Sequence, residues 1–440
     1  MRVLIQTLGC KLNFSESSSL MTALRDAGHV TAGRGEQADV CILNTCSVTD
    51  VADQKGRQAI RRLHREHPGA LLIVTGCYAQ LRPDQVAAIP GVNYVVGAND
   101  KEQILNLIED YRPHKQGGCH PVTEGSLLTD LSSPAGRLSE AGRAFHPSCS
   151  KDDRTRCFLK VQDGCDYYCT YCTIPMARGT SRNGTIEDTV ALAQKAVDEG
   201  AKEIVLTGVN IGDFGRSTGE TFLDLLKALD NVQGEVRYRI SSCEPNLLSD
   251  EIIDFVAASR HFAPHFHIPL QSGSNEVLKI MRRRYTRELF AERVAHIKRR
   301  MPHAFIGVDC MVGVRGETRE LFDDYVQFLQ GLDVCQLHVF PYSERAHTRM
   351  VEMDLERVPK DEQHRRVEVL MRLSEDKLKA FYAANRGTQT TVLWETGGTP
   401  NSLRDKASKP RQMAGWTENY IRVTAPYDTN KINTFETIWL

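Results

Sequence analysis

Three cysteines fall within eight residues at Cys165, Cys169 and Cys172, spaced C-x3-C-x2-C. Three thiolates on one tight loop can hold three irons of a cubic four-iron cluster and leave the fourth iron open. Structural zinc normally takes four protein ligands, and no His or Cys follows this trio within a few residues. A second set, Cys10, Cys46 and Cys77, is spread over the first part of the chain, and each member follows an apolar or β-branched run: Val3–Thr7, Val40–Asn44 and Leu71–Thr75. Such runs read as buried parallel strands covered on both faces. In a parallel α/β sheet every strand-to-helix turn lies at the carboxyl edge, so three cysteines far apart in sequence converge in space.

Helices must separate those strands. Asn13 with Glu16 reads as a capping pair, Thr49 as the cap of the next helix, and Pro83 as a first-turn proline. From Cys157 a longer strand–helix alternation begins, with candidate strands Phe158–Gln162, Glu203–Thr207, Val236–Ser241, His265–Ile268, Ala304–Met311 and Val334–Phe340. Helical patterns lie between them, as at Ile186–Glu199 and Thr318–Gln330. This alternation predicts an α/β fold with a parallel sheet or an incomplete barrel, with its working face again at the carboxyl edge. The expected segments are 1–111, a Gly-, Pro- and Ser-rich linker at 112–150, a core at 151–384 and a short β-rich segment at 385–440.

The chain has 440 residues and a net charge of -1, with 55 Lys+Arg against 56 Asp+Glu. No apolar run approaches the ~20 residues of a membrane span, so a cytoplasmic protein with no membrane partner is expected. A reducing compartment disfavours a disulfide framework, and the odd total of 13 cysteines resolves into two trios and seven others. Cys41, Cys119, Cys149, Cys157, Cys243, Cys310 and Cys335 read as packing or unpaired thiols. The stretch Lys279–Arg300 holds nine basic and two acidic residues, which reads either as a phosphate-contacting patch or as a solvated helix face.

The segment from Asp163 to Cys172, DGCDYYCTYC, resembles the radical S-adenosylmethionine (SAM) superfamily. Together with TLGCKLN (7–13), NTCSVT (44–49) and TGCYAQ (75–80), the chain resembles the methylthiotransferases of that superfamily. The resemblance implies a radical SAM partial (β/α)6 barrel after an N-terminal α/β domain. It implies two [4Fe-4S] clusters, one held by Cys165, Cys169 and Cys172 and binding SAM at its open iron, the other an auxiliary cluster held by Cys10, Cys46 and Cys77. Tyr171 matches the position lying against the adenine of SAM. Thr207 and Gly208, in LTGVNIG (206–212), match the turn approaching its amino group, and Gln271 and Ser272, in HIPLQSGS (267–274), match another family motif. Arg178 reads as a partner for a carboxylate of SAM or of substrate, or as a solvated surface residue. GVRGET (313–318) departs from the family's GFPGET at Val314 and Arg315.

GWTENYIRV (415–423) resembles a TRAM domain, a small β-barrel that binds RNA in this family. From physics alone, a small β-barrel with aromatics fits oligosaccharide or protein binding as well. Lys11 directly after Cys10 and the run RTRCFLKVQDGCDYYCTYCTIPMARG (154–179) point to the branch acting on threonylcarbamoyladenosine. The implied partners are a tRNA anticodon loop and an electron donor such as flavodoxin or ferredoxin. Alternatives are an isopentenyl-adenosine or ribosomal-protein aspartate methylthiotransferase, or a non-catalytic iron–sulfur RNA-binding protein.

Overall fold

The computed structural model describes residues 1–33, 35–111, 126–127, 145, 147–150, 155–396 and 412–440. Most of the 112–150 linker, including Cys119, and Arg154 of the 154–179 motif lie outside the described residues. The chain divides into two compact units that cut across the segments expected from sequence. One comprises Met1–Ser150, Lys160–Gly184 and Ser343–Glu352; the other comprises Lys151–Leu159, Thr185–Tyr342 and Met353–Leu440. Both cysteine trios therefore belong to the first unit.

The first unit is built on a parallel sheet of β1 (Arg2–Thr7), β2 (Val30–Thr31), β3 (Val40–Thr45), β4 (Leu71–Gly76), β5 (Tyr94–Val95) and β6 (Ser126–Leu127), in the order β2-β1-β3-β4-β5-β6. Every residue of β3 and β4 is buried, because alternate side chains feed two different cores. Cys41, Leu43, Leu72 and Val74 pack with Ala59, Ile60 and Leu63 of helix α2 (Asp50–Glu66) on one face. Val40, Ile42, Leu71 and Ile73 pack with Leu24, Ile104 and Ile108 on the other. Helix α1 spans Lys11–Asp26 and α3 spans Cys77–Leu81. Thr49 caps α2 by accepting from Ala52 N at 3.2 Å, and Pro83 sits in the first turn of Pro83–Ala87, both as expected. The Asn13–Glu16 capping pair does not form. The N-cap of α1 is Cys10, with no side-chain cap, and both polar side chains are used in tertiary contacts.

In the second unit the six expected barrel strands run Arg156–Lys160, Glu203–Thr207, Arg237–Ile240, His265–Gln271, Phe305–Val312 and Gln336–Pro341. The second and third pair in parallel, as do the fourth with the fifth and the fifth with the sixth. Parallel bridges Tyr238↔Phe262 and Ser242↔His267 join the two halves. Thr185, Thr221, Ser249, Thr286 and Thr318 each cap the helix that follows. The C-terminal segment forms a four-stranded antiparallel sheet, ordered Arg422–Pro426, Gln412–Thr417, Gln389–Glu395, Phe435–Trp439. Among the described residues no helix is long and apolar enough to cross a membrane.

That C-terminal sheet is bound to the barrel strands through buried charge. Glu203, fully buried, accepts from Arg237 and Arg239. The same guanidinium groups donate onward to the carbonyls of Thr391, Trp416, Thr417 and Glu418. Arg156 pairs with Glu395 at 2.8 Å and lies over the Trp416 ring. Trp416 stacks on Tyr420, which also packs against Phe305 and His265. Trp416 and Tyr420 of GWTENYIRV are half-buried, each using part of its ring in internal packing.

Candidate active site

Close backbone approach brings Cys10, Cys46 and Cys77 together. Gly9 has φ +117°, and a Cβ there would lie 2.8 Å from Cys46 Cβ and 2.9 Å from Asn13 Nδ2. Gly76 has φ +95°, and a Cβ there would lie 2.4 Å from Thr45 O. Only glycine tolerates both the left-handed conformation and the contact. Asn13 laces two of the turns together, its Nδ2 donating to Leu8 O at 2.9 Å and Thr45 O at 3.0 Å. Cys77 is buried, Cys46 half-buried and Cys10 exposed. Burial, then the charges of Cys77 and Cys10, pushes the Cys46 thiol up to about 11, while Arg178 and a backbone hydrogen bond pull it down. Burial likewise raises Cys77, again with Arg178 opposing. Cys46 and Cys77 therefore favour the protonated form, and a metal cluster binding them must displace those protons. A donor set of three thiols with one exposed side fits an iron–sulfur cluster with an open iron.

The second trio sits on a loop that is clamped at both ends. Gly164 has φ +69°, and a Cβ there would lie 1.9 Å from Thr180 O. Cys165 N donates to Gly179 O at 3.1 Å, and Cys172 N to Cys169 O at 3.0 Å. Gln162 Nε2 donates to Asp163 O, Gly164 O and Ser181 Oγ. Ile174 N points at Cys172 Sγ, 3.4 Å away, the kind of amide-to-sulfur bond that tunes cluster thiolates. None of the six cysteines is in a disulfide. The helix Ile174–Arg178, which begins just after Cys172, packs on α3, which begins at Cys77. Gly164→Ala is expected to open the C-x3-C-x2-C loop, since backbone rather than a flexible side chain blocks the methyl. After anaerobic reconstitution it should lose about half the iron, the share of one cubic cluster in two, as read by iron analysis.

The remaining expected residues separate. Tyr171 is half-buried within the second trio. Thr207 ends the second barrel strand and Gly208 follows it; Thr207 is buried and its hydroxyl donates back to Val205 O at 3.2 Å. Gln271 ends the fourth strand at a register shift, with φ +64°, and its carbonyl accepts from Tyr325 OH. That conformation is costly for a non-glycine residue and clusters at functional sites. Ser272 is fully buried, and its hydroxyl accepts from Ser274 N, so its side chain serves the turn. Arg178 is neither a solvated surface residue nor open to a carboxylate of SAM. It is 1% exposed and bonded to Glu16, Asp163 and Asn13. Val314 and Arg315 are both buried, so the departure from the family motif is absorbed in packing.

The basic stretch is largely neutralised. Arg283 pairs with Glu244, Arg287 with Asp324, Arg293 with Asp250, Lys298 with Asp333 and Arg300 with Asp254. The solvated helix face accounts for most of it. Cys149 and Cys157, read as thiols, are disulfide-bonded; Cys41, Cys243, Cys310 and Cys335 are buried, as packing thiols should be.

Two features were not expected from the sequence. Arg345 donates to Ser47 Oγ and Asp53 Oδ2, both at 2.7 Å, bracing the residue next to Cys46. In the second unit His267 Nε2 and His338 Nδ1 approach the same oxygen of Asp309, at 2.7 and 3.3 Å. Burial alone would raise Asp309, but these bonds outweigh it and hold the carboxyl below its usual range. The three come from different strands and could also ligate a cation, but 2.7 Å is hydrogen-bond length, shorter than the ~3.3 Å edge of a tetrahedral zinc site.

Residues 2–97 match the Uncharacterized protein family UPF0004, and residues 159–329 match the Radical SAM superfamily. The chain is 38% identical over 425 residues to the threonylcarbamoyladenosine tRNA methylthiotransferase MtaB of Bacillus subtilis, covering 96% of this chain and 89% of that protein. It is 33% identical to the MtaB of Aquifex aeolicus (89% and 92% covered) and 28% identical to the tRNA-2-methylthio-N(6)-dimethylallyladenosine synthase of Desulfitobacterium hafniense (98% and 93%). In fold it is similar to the radical SAM methyltransferase TsrM of Kitasatospora setae, with a TM-score of 0.57 and 16% identity over 80% of this chain and 75% of that one. Identity of 33–38% to the two MtaB proteins over most of their length, together with the Radical SAM match, places this chain in the radical SAM methylthiotransferase family.

Proposed function

We propose that this protein replaces the C2 hydrogen of N6-threonylcarbamoyladenosine, next to the tRNA anticodon, with a methylthio group. The observation that carries this reading is the presence of two cysteine trios in one compact unit, with the helix leaving one packed on the helix leaving the other. The adenine C2–H bond is not usefully acidic, so a general base cannot open it at neutral pH and radical chemistry is required. Cys165, Cys169 and Cys172 would hold the SAM-binding [4Fe-4S] cluster, and Cys10, Cys46 and Cys77 the auxiliary one. When bound, SAM and these clusters supply a 5′-deoxyadenosyl radical and a methylated sulfur.

The chain's own residues bind and orient. By resemblance to the family, Tyr171 would serve the adenine of SAM and the Thr207–Gly208 turn its amino group, while Gln271 would act from the strained end of its strand. Ser272 supports that turn from within. The substrate base must leave the anticodon stack to reach the site. Flavodoxin or ferredoxin would supply electrons, in the cytoplasm where such donors and tRNA meet.

Higher identity to the threonylcarbamoyladenosine enzymes than to the dimethylallyladenosine synthase supports the substrate assignment. Nucleoside mass spectrometry of tRNA from cells lacking this protein should show the methylthio form of threonylcarbamoyladenosine missing, and restored when the gene is returned. A change confined to isopentenyl-adenosine would overturn the substrate assignment. SAM binding without turnover would instead favour a non-catalytic iron–sulfur protein.

A further inference from the structure

A buried charge network links the two cysteine trios, and thiolate ligation alone does not call for it. Arg178 Nη1 donates to Glu16 Oε1 at 2.9 Å and Asp163 Oδ1 at 3.0 Å. Its Nη2 donates to Asn13 Oδ1 at 2.7 Å and Glu16 Oε2 at 3.3 Å. Asn13 and Glu16 lie in the first two turns of α1, which starts beside Cys10. Asn13 in turn holds Leu8 O and Thr45 O, in the turns bearing Cys10 and Cys46. Asp163 stands two residues before Cys165, and Arg178 ends the helix that starts after Cys172. One guanidinium is therefore bonded to side chains that control the first trio and to the entry and exit of the loop carrying the second.

The network continues outward. Lys101 and Lys160 pair with Glu16, and Lys160 and Arg182 with Asp163. Four cations thus share two carboxylates. Burial would raise Glu16, but Arg178, Lys101 and Lys160 outweigh it and keep the carboxyl ionised. The surplus positive charge suits neighbours that become more negative on reduction, and low dielectric strengthens it. A lysine cannot replace the arginine at the junction, because its point charge lacks the planar fork that spans three partners.

We infer that Arg178 is a positioning residue that sets the geometry between the two cysteine trios by tying α1 to the C-x3-C-x2-C loop through Glu16, Asn13 and Asp163. This rests on the methylthiotransferase reading. It predicts that weakening the tie uncouples the two halves of the reaction without emptying either cluster site. The consequence is SAM cleaved to 5′-deoxyadenosine while little sulfur is delivered to the base.

The test uses the full chain, anaerobically reconstituted, as wild type, Arg178→Lys and Glu16→Gln. Glu16→Gln removes the charge from the α1 side of the tie, where Asn13 still accepts from Arg178, and leaves the Arg178–Asp163 pair in place. Both variants are expected to keep wild-type iron and to form 5′-deoxyadenosine. Methylthio product per 5′-deoxyadenosine should fall about 100-fold, the penalty of a misplacement of roughly 1 Å. The electron paramagnetic resonance spectrum of the doubly reduced protein should change as well, since the magnetic interaction between clusters depends on their separation. Wild-type product ratios and spectra in both variants would overturn the inference. So would loss of iron from both, since the network would then serve only to fold the cysteine loops. A wild type that cleaves SAM but never makes methylthio product would instead overturn the proposed function.

Discussion

Replacing Cys10, Cys46 and Cys77 together by alanine is expected to halve the iron of the reconstituted protein and abolish methylthio product, while SAM is still cleaved to 5′-deoxyadenosine. Each trio has its own backbone closure, and the side chains around Arg178 link the two. The first hangs on three strand-to-helix turns closed by Gly9, Gly76 and Asn13. The second hangs on a loop closed by Gly164, Gly179 and Gln162. Removing the first set of thiols leaves the second loop's backbone bonds intact. Two cubic clusters hold about eight irons, so the variant should retain about four. Replacing Cys165, Cys169 and Cys172 should give the complementary result, with about four irons retained and no 5′-deoxyadenosine. Unchanged iron in the first variant would remove the auxiliary site from this account.

A second large effect is expected in the other compact unit. Glu203 is fully buried and is the common acceptor for Arg237 and Arg239, which carry the C-terminal sheet on their remaining donors. Glu203→Gln leaves two buried guanidinium groups without their counter-charge, and breaking a buried pair costs about 3–5 kcal/mol. A thermal midpoint lowered by roughly 10 °C would register that loss in a unit of this size.

The pH dependence has a definite sign. Burial would raise the Glu203 carboxyl, but Arg239 and Arg237 outweigh it and hold it below its ordinary value. Its contribution is therefore complete above the unfolded value of about 4.3 and disappears as pH falls through the lower folded value. The gap between wild type and Glu203→Gln should be constant near neutrality and narrow below about pH 4. A gap that widened in acid would contradict the assignment of the charge to Glu203.

What could be read from the chain depended on how local the signal was. The apolar runs before Cys10, Cys46 and Cys77 became β1, β3 and β4 nearly residue for residue, because strands covered on both faces leave an uninterrupted apolar signature. The C-x3-C-x2-C spacing is likewise a property of eight consecutive residues. Roles decided by distant partners were hidden. Asn13 and Glu16 have the spacing of a cap, yet both point to Arg178, more than 160 positions away in sequence. The charge of Lys279–Arg300 looked unbalanced only because Glu244, Asp250, Asp254, Asp324 and Asp333 lie outside that stretch. The packing of Arg156 and Phe305 against the aromatics of GWTENYIRV was equally invisible in the sequence.

The most direct test of the central claim uses the purified, reconstituted chain with SAM, a low-potential reductant and two synthetic anticodon stem-loops. One carries threonylcarbamoyladenosine and the other isopentenyl-adenosine, and mass spectrometry of the digested loops gives the product. The account predicts the methylthio group on the threonylcarbamoyl loop alone, with 5′-deoxyadenosine formed alongside it. Product on the isopentenyl loop alone, or SAM cleavage with neither loop modified, would contradict it.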